Sequence, residues 1–377
     1  MTDQLNTEFY DTDDYRVALS LVPGLNRKSV SQLLERCHTE KDFILGEDAF
    51  VRDITGSSNR ALSRQSRLGH LRDGARERQW TDDNDIKRLF CLDDDFPQRL
   101  AQCDDGPVIL DKLGKCDLDA AHMVAIVGTR HADTYGVEFT RRLVEDLGNK
   151  VDDLVIVSGL AYGIDVAAHR AALADDIRTV AVTANPLNTV YPAEHRGTAS
   201  QIIRKGGAMI TEYATCTTVH RGNFLARNRI IAGLCDVTVV VESGIRGGAM
   251  STARIAAAYD REVMAVPGRV NDEYSEGTNR LIANTTARLI TCADDLIDIM
   301  GWPVRETEGR QRSLFVELSA EAKSVTDLIK EHPELTVNDI CARLGIPYPR
   351  LADILFQLEM DNVITAIPGN RFAYIEL

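Results

Sequence analysis

The chain has 377 residues, 44% of them hydrophobic, with a formal net charge of −14 and eight cysteines. That length predicts two or three domains with a full apolar core. The acidic balance argues against a generic nucleic-acid coat, and no apolar run is long enough to predict a membrane-spanning helix.

The cysteines are scattered without Cys-x-x-Cys spacing. Reduced thiols in a cytoplasmic protein are the expected reading, rather than zinc ligands or disulfides. The opening Met1-Thr2-Asp3-Gln4 is polar and acidic, unlike a signal peptide. Charge is negative in every region: −7 for residues 1–122, −3 for 123–300 and −4 for 301–377. Two local stretches are basic, Arg52 to Arg78 and Arg221 to Arg229. Any anion site must therefore be focused.

Residues 1–14 read as a mobile acidic tail ending in Asp11-Thr12-Asp13-Asp14. Residues 15–86 read as a helical, helix-hairpin-helix-like (SAM-like) domain. Its first hairpin is Val22-Pro23-Gly24-Leu25-Asn26, and a looser copy sits at Ile54 to Asn59. Such a turn is either an ordinary helix corner or a source of backbone N–H groups for a phosphate. Most of the Arg residues that follow are expected on a solvated face. Residues 87–122 carry turn signals and short apolar runs, and are expected to connect to a sheet domain.

Residues 123–300 repeat one grammar: a short apolar run, a glycine-bearing exit, then a helix-length stretch. The runs are Met123–Val127, Leu154–Val157, Thr179–Thr183, Ala208–Thr211, Val237–Val241, Glu262–Val266 and Ala287–Thr291. This predicts an α/β fold, a Rossmann-like, doubly wound and mostly parallel sheet with helices on both faces. Ligands of such sheets bind outside the carboxyl ends of the strands. Residues 301–316 read as a polar linker. In 317–377, helical patterns at Ala320–Lys330, Val337–Leu344 and Tyr348–Met360 precede two strand-like runs around Pro368-Gly369-Asn370, which predicts a winged helix. Its third helix carries Arg350 against Asp353 and Glu359, with Asp361 just beyond it. A DNA-reading helix is normally basic, so a packing or protein-contact role is expected.

Four constellations lie at strand exits. The first, Gly128-Thr129-Arg130, lacks the glycines of a dinucleotide fingerprint and the Lys of a Walker loop. Its Arg130 is either a phosphate clamp or a surface Arg paired with an acid. The second, Ser158-Gly159-Leu160-Ala161-Tyr162-Gly163-Ile164-Asp165, offers small residues for close approach, so Gly159 and Gly163 are read as ligand contacts and Asp165 as structural. The third runs from Arg221 through Phe224 to Arg227-Asn228-Arg229. With no acid nearby in sequence, its Arg residues are read as anion-binding. The fourth, Gly244-Ile245-Arg246-Gly247-Gly248, is a glycine-rich turn able to form an anion nest.

Together these stretches resemble the DNA-processing protein A family (DprA, also called Smf). The resemblance rests on Ile126 to Arg130, Ser158-Gly159 through Gly163-Ile164-Asp165, Tyr191-Pro192, Arg227 to Gly233, Ala265-Val266-Pro267-Gly268 and Gly277 to Ile282. It spans about half the chain in the family's order, and the flanking helical and winged-helix segments fit the family's layout. The resemblance implies a single-stranded DNA-binding protein that loads the RecA recombinase in natural transformation and dimerises through the sheet domain. It implies no enzyme activity, cofactor or metal. It places Arg130 and Arg227-Asn228-Arg229 on DNA-binding motifs, Ser158, Gly159 and Gly163 on a pocket floor, and Phe224 at a base-stacking position. Departures are Thr183 to Asn188 in place of a glycine-rich turn, Ala193 in place of a basic residue after Tyr-Pro, and Thr286-Ala287 in place of Gly-Ala. The competing reading is a nucleotide-binding or phosphoribohydrolase-like enzyme of the same fold. Aligning the glycine pair places Arg254 where such enzymes carry a catalytic Glu, which removes the carboxylate that glycosidic hydrolysis needs.

Overall fold

The computed structural model describes residues 9–305, 320–332, 335–360, 363–367 and 371–374. The chain divides into two compact units, residues 1–305 and 306–377.

The first unit opens with α1 (Thr12–Ser20), α2 (Arg27–Cys37), α3 (Glu40–Leu45), α4 (Asp48–Thr55) and α5 (Arg64–Asp83). The acidic segment is not all tail. Asp11 caps α1 in a reciprocal capping box with Asp14. The buried Asp14 also accepts from Arg78 Nε at 2.7 Å. Only residues 1–8 of the expected tail lie outside the described residues. Most of the Arg stretch faces solvent, but Arg67 does not. It is fully buried, and its guanidinium donates to the carbonyls of Phe43, Ile44, Gly46 and Leu62. One cation thus satisfies the carbonyls that end α3 and the loop before α4.

The hairpin at Pro23-Gly24 is a packing corner. The N–H groups of Arg27 and Lys28 donate to the carbonyls of Gly106 and Asp104. Asn26 and Ser29 satisfy one another. The first N–H groups of α2, on Arg27, Lys28 and Ser29, are thus already used.

Residues 87–122 do more than connect. They supply β1 (Lys87–Phe90), the short α6 (Gln98–Ala101) and β2 (Ile109–Gly114). The remaining strands are β3 (His122–Val127), β4 (Leu154–Ser158), β5 (Arg178–Val182), β6 (Ala208–Thr211), β7 (Val237–Val240), β8 (Glu262–Ala265) and β9 (Arg288–Leu289). They alternate with α7 (Thr134–Lys150), α8 (Ile164–Ala174), α9 (Arg196–Arg204), α10 (Arg221–Leu234), α11 (Gly248–Ala258), α12 (Glu276–Ala283) and α13 (Ala293–Met300). The sheet order is β1-β2-β6-β5-β4-β3-β7-β8-β9. Strands β3 to β9 pair in parallel, while β2 runs antiparallel to both β1 and β6.

Both faces of the sheet are covered, so its central strands read as unbroken apolar runs. Along β3, Met123, Ala125 and Val127 face one core with α10 and α11 residues. Val124 and Ile126 face the other, with α7, α8 and α13. The first core continues into Leu19, Val30, Phe43 and Leu71 of the helical segment. The expected 15–86 domain therefore shares its core with the sheet. Residues 301–305 close this unit, with Trp302 against His122 and Arg305 Nε 2.6 Å from an Asp152 carboxylate oxygen. Residues 306–316 of the expected linker lie outside the described residues.

The second unit holds α14 (Ala320–Glu331), α15 (Val337–Leu344), α16 (Tyr348–Met360), β10 (Ile364–Ile367) and β11 (Arg371–Tyr374), the last two paired antiparallel. Val325, Ile340, Leu351, Leu355 and Ile364 form its core. These are the elements expected of a winged helix, with the 368–370 turn outside the described residues. On α16, Arg350 pairs with Glu321 at 2.9 Å.

Replacing Arg67 by Ala leaves buried carbonyls without donors and should cost about 3 kcal/mol or more. Urea denaturation checks the loss, and hydrogen exchange should show α3 and the start of α4 opening first.

Candidate nucleic-acid interface

The strand order reverses between β3 and β7: the crossover after β3 runs to β4 on one side and the crossover after β7 runs to β8 on the other. The cleft at that reversal is where an open parallel sheet places its ligand. Gly128, Thr129 and Arg130 leave β3 there. Thr129 N donates to Glu242 O at 2.6 Å and accepts at its own carbonyl from Ile164 N at 3.2 Å. These bonds tie the exits of β3 and β7 to the start of α8.

The glycines of this cleft are explained by close packing within the protein. A Cβ on Gly128 would lie 2.4 Å from Ile164 Cγ1, and one on Gly163 would lie 2.1 Å from Thr129 O. Gly163 also has φ +73, which favours glycine. A Cβ on Gly159 would lie 2.4 Å from Arg227 Nη1. The space expected for a ligand at Gly159 and Gly163 holds protein atoms instead. Ser158 is buried and donates to Ile126 O at 2.6 Å, bridging β4 to β3.

Arg227 is only 4% exposed. Its Nη1 donates to Gly159 O at 2.8 Å and to Val182 O, joining α10 to the exits of β4 and β5. Burial presses its pKa down, and the nearby Asp165 opposes that. Arg229 donates from Nη2 to Glu212 at 2.5 Å. The reading of both as free phosphate ligands needs correction. Arg227 carries a structural bridge, and the acid missing from the sequence around Arg229 comes from the exit of β6. Asn228 is also buried, its Nδ2 3.4 Å from Gly248 O.

Arg130 behaves otherwise. It is exposed and forms no ion pair among the described residues. Its guanidinium lies over the Phe224 ring, 5.5 Å from the centroid, within cation–π range. Phe224 meets Tyr191 edge-on at 5.4 Å, and Tyr191 is 51% exposed. Tyr162, also exposed, packs against His195 and donates to Glu194 at 2.9 Å. The structure thus joins Arg130 and Phe224 and adds two tyrosines. Tyr162 and Tyr191 were visible inside their motifs, but nothing local showed that the Tyr191 ring meets Phe224. Arg221 is exposed at the first turn of α10. In the glycine-rich turn, Gly247 is packed against Ser243 Oγ, while Gly248 is open to solvent at the start of α11.

Beneath the face lie buried ionisable groups. Asp165 sits in the first turn of α8, where Gly163 takes the cap position. Burial raises its pKa, against the pull of Arg227 and the Ala161 N–H. His169 donates or accepts at Nδ1 with Thr179 Oγ1 at 2.7 Å, and burial drops its pKa to about 3, so it is neutral. Glu242 is 2% exposed and pairs with no Arg among the described residues. It faces Asp133 instead, whose N–H donates to Glu242 Oε2 at 3.3 Å. Burial and the Asp133 carboxylate push the Glu242 pKa up to about 7. Asp133 is held down by the Gly136 N–H and by hydrogen bonding with Glu242. Below about pH 7 Glu242 therefore keeps its proton while Asp133 is ionised.

The family model for DNA recombination-mediator protein A matches residues 87–301, and a DprA winged helix domain model matches 315–370. The chain belongs to the DNA recombination-mediator protein A (DprA/Smf) family. It is 37% identical over 252 residues to the putative DNA processing protein DprA of Mycobacterium tuberculosis, a match covering 66% of this chain and 64% of that protein. The crystal structure of DprA from Streptococcus pneumoniae superposes with a TM-score of 0.64 at 32% identity, covering 76% of this chain and 97% of that one. DprA from Helicobacter pylori, solved for its single-stranded DNA binding mode, gives a TM-score of 0.51 at 30% identity, covering 57% and 95%.

Two outcomes follow from the site. Arg227→Ala should lose about 3 kcal/mol through its two carbonyl partners, whereas Arg130→Ala should stay within about 0.5 kcal/mol of wild type. Denaturant titration separates them. Between the ordinary value of 4.5 and about 7, folded Glu242 holds a proton that the unfolded chain has released. Its contribution therefore weakens stability as pH rises through that window and is level above it. Glu242→Gln should remove that decline, so melting curves of the two proteins should diverge from about pH 5 upward.

Proposed function

We propose that the chain binds single-stranded DNA through the Arg130–Phe224–Tyr191 face and does so without catalysis. The observation that carries this reading is the exposed guanidinium of Arg130, outside any ion pair among the described residues and lying over Phe224. Its charge is available to a phosphate, and the adjoining aromatic edges offer surfaces on which bases stack. Among the described residues this pairing occurs at the sheet's ligand-binding edge and nowhere on a broad basic surface, as an acidic protein requires. Gly248 and Arg221 flank the face and complete the proposed contacts. Arg227, Asn228, Arg229, Ser158, Gly159 and Gly163 support it from below.

On this reading the chain acts in the cytoplasm in DNA processing during natural transformation. It holds the incoming strand and loads the RecA recombinase onto it, as a homodimer built on the sheet domain. The family membership supports this role. Physical chemistry supports the non-enzymatic part. Buried Glu242 is turned to the exposed Asp133, and Arg254, which brings no carboxylate, stands exposed on α11.

Fluorescence anisotropy with labelled oligo-dT, compared with a duplex of equal length over a salt series, tests the reading. Wild type should favour the single strand and weaken with salt. Arg130→Ala should lose about tenfold or more, and Phe224→Ala about 1–3 kcal/mol of binding. Equal affinity for duplex, or no binding at low salt, removes the proposal. A pull-down of RecA on the DNA-bound protein tests the partner.

A further inference from the structure

A groove of about 820 Å³ lies between α8 and α9, outside the strand-exit cleft. Arg170 of α8 and Arg204 of α9 line it, together with Glu194, Gly197 and Gln201. Arg196 starts α9 and shares a helix face with Arg204, two turns or about 12 Å away. All three Arg side chains are exposed, and none forms an ion pair among the described residues. Exposed Arg52, Arg72 and Arg254 are also outside any ion pair among the described residues, while other Arg are held. Arg16, Arg78, Arg88, Arg99, Arg141 and Arg229 all hold carboxylates. Lys205 lines the same groove but is held by Asp176 at 2.5 Å.

The groove opens beside the aromatic face. Glu194 lines it and accepts from Tyr162, and Tyr162 is close enough to Tyr191 for the two phenols to interact. A path runs from Arg130 over Phe224, Tyr191 and Tyr162 to the three Arg. Glu194 is ionised, held so by its own backbone N–H and the Tyr162 hydroxyl, with a smaller pull from His195 and Arg196. A polyanion must therefore pass on the Arg side of it.

We propose that the α8–α9 groove is a second phosphate-binding subsite, in which Arg170, Arg196 and Arg204 take the backbone of a single strand leaving the strand-exit cleft. This rests on the reading of that cleft as a single-stranded DNA site. Arg suits the task, since it stays charged and binds phosphate bidentately. The three cations compensate locally for a chain whose overall charge repels DNA.

The test uses the full chain and two labelled oligo-dT probes, one of about 6 nucleotides that fills only the cleft and one of about 20 that reaches the groove. The variant Arg170→Ala/Arg196→Ala/Arg204→Ala should bind the short probe within twofold of wild type. It should bind the long probe about tenfold more weakly, with a salt slope lowered by about 2 for three lost phosphate contacts. Retained short-probe binding doubles as the check on folding. A control variant replacing three exposed Arg elsewhere, Arg52, Arg72 and Arg76, separates local contact from net charge. Unchanged long-probe binding, an equal loss on both probes, or the same loss in the control overturns the subsite. Failure of wild type to bind either probe overturns the cleft reading, and the subsite with it.

Discussion

The bridge from Arg227 to the carbonyls of Gly159 and Val182 is the contact on which the site depends. It joins three elements, the exits of β4 and β5 and the body of α10. It also explains why residue 159 has no side chain, because the guanidinium fills that volume. A buried cation is expensive unless it is well hydrogen-bonded, so its carbonyl partners must keep their positions. Phe224 stands one turn earlier on the same helix. The aromatic face is therefore held at a set height above the sheet edge. Arg130, anchored through Thr129 to the exit of β7, meets it there.

The electrostatics of this edge are layered. The exposed layer is cationic at Arg130. The layer below holds Arg227, Asp165 and a neutral His169, with Asp165 pushed toward its protonated form. Beyond its burial, Arg227 is pressed toward losing its charge by the nearby Arg130, and Asp165 is the acid that offsets this. On the other side of β3, Glu242 keeps its proton beside the ionised Asp133. A buried carboxyl group beside an ionised one costs less when it keeps its proton. These arrangements keep negative charge low along the face that would meet a polyanion.

How much of this was legible depended on the range of the interaction. Strands β3 to β8 were plain as apolar runs because both sheet faces are covered, and the winged-helix elements were plain from helical spacing and turns. The grammar of β1 and β2 was obscured because an antiparallel pair at a sheet edge lacks the long apolar run of a central strand. Arg roles were the least legible. Arg227 finds its carbonyls 68 and 45 residues away, and Arg229 finds Glu212 17 residues back. A count of acids in the neighbouring sequence could not reveal them. Glu242 is 109 residues from Asp133. Arg130 differs because its exposure at a strand exit follows from topology alone, and its position was readable from the start.

The apolar core that runs from the first sheet face into the helical segment separates two kinds of boundary. The match to the family model of the sheet domain begins at residue 87. The region that folds together begins near residue 9, with Leu19, Val30, Phe43 and Leu71 packed into the same core as Met123 and Ile230. Cutting at the boundary of that match would strip a hydrophobic cover from the sheet and also remove Glu77, which holds the Thr215 N–H beside α10. The helices at the start of the chain thus act as the lid of the sheet's own interior. Their sequence is free to drift only as far as that interior remains dry.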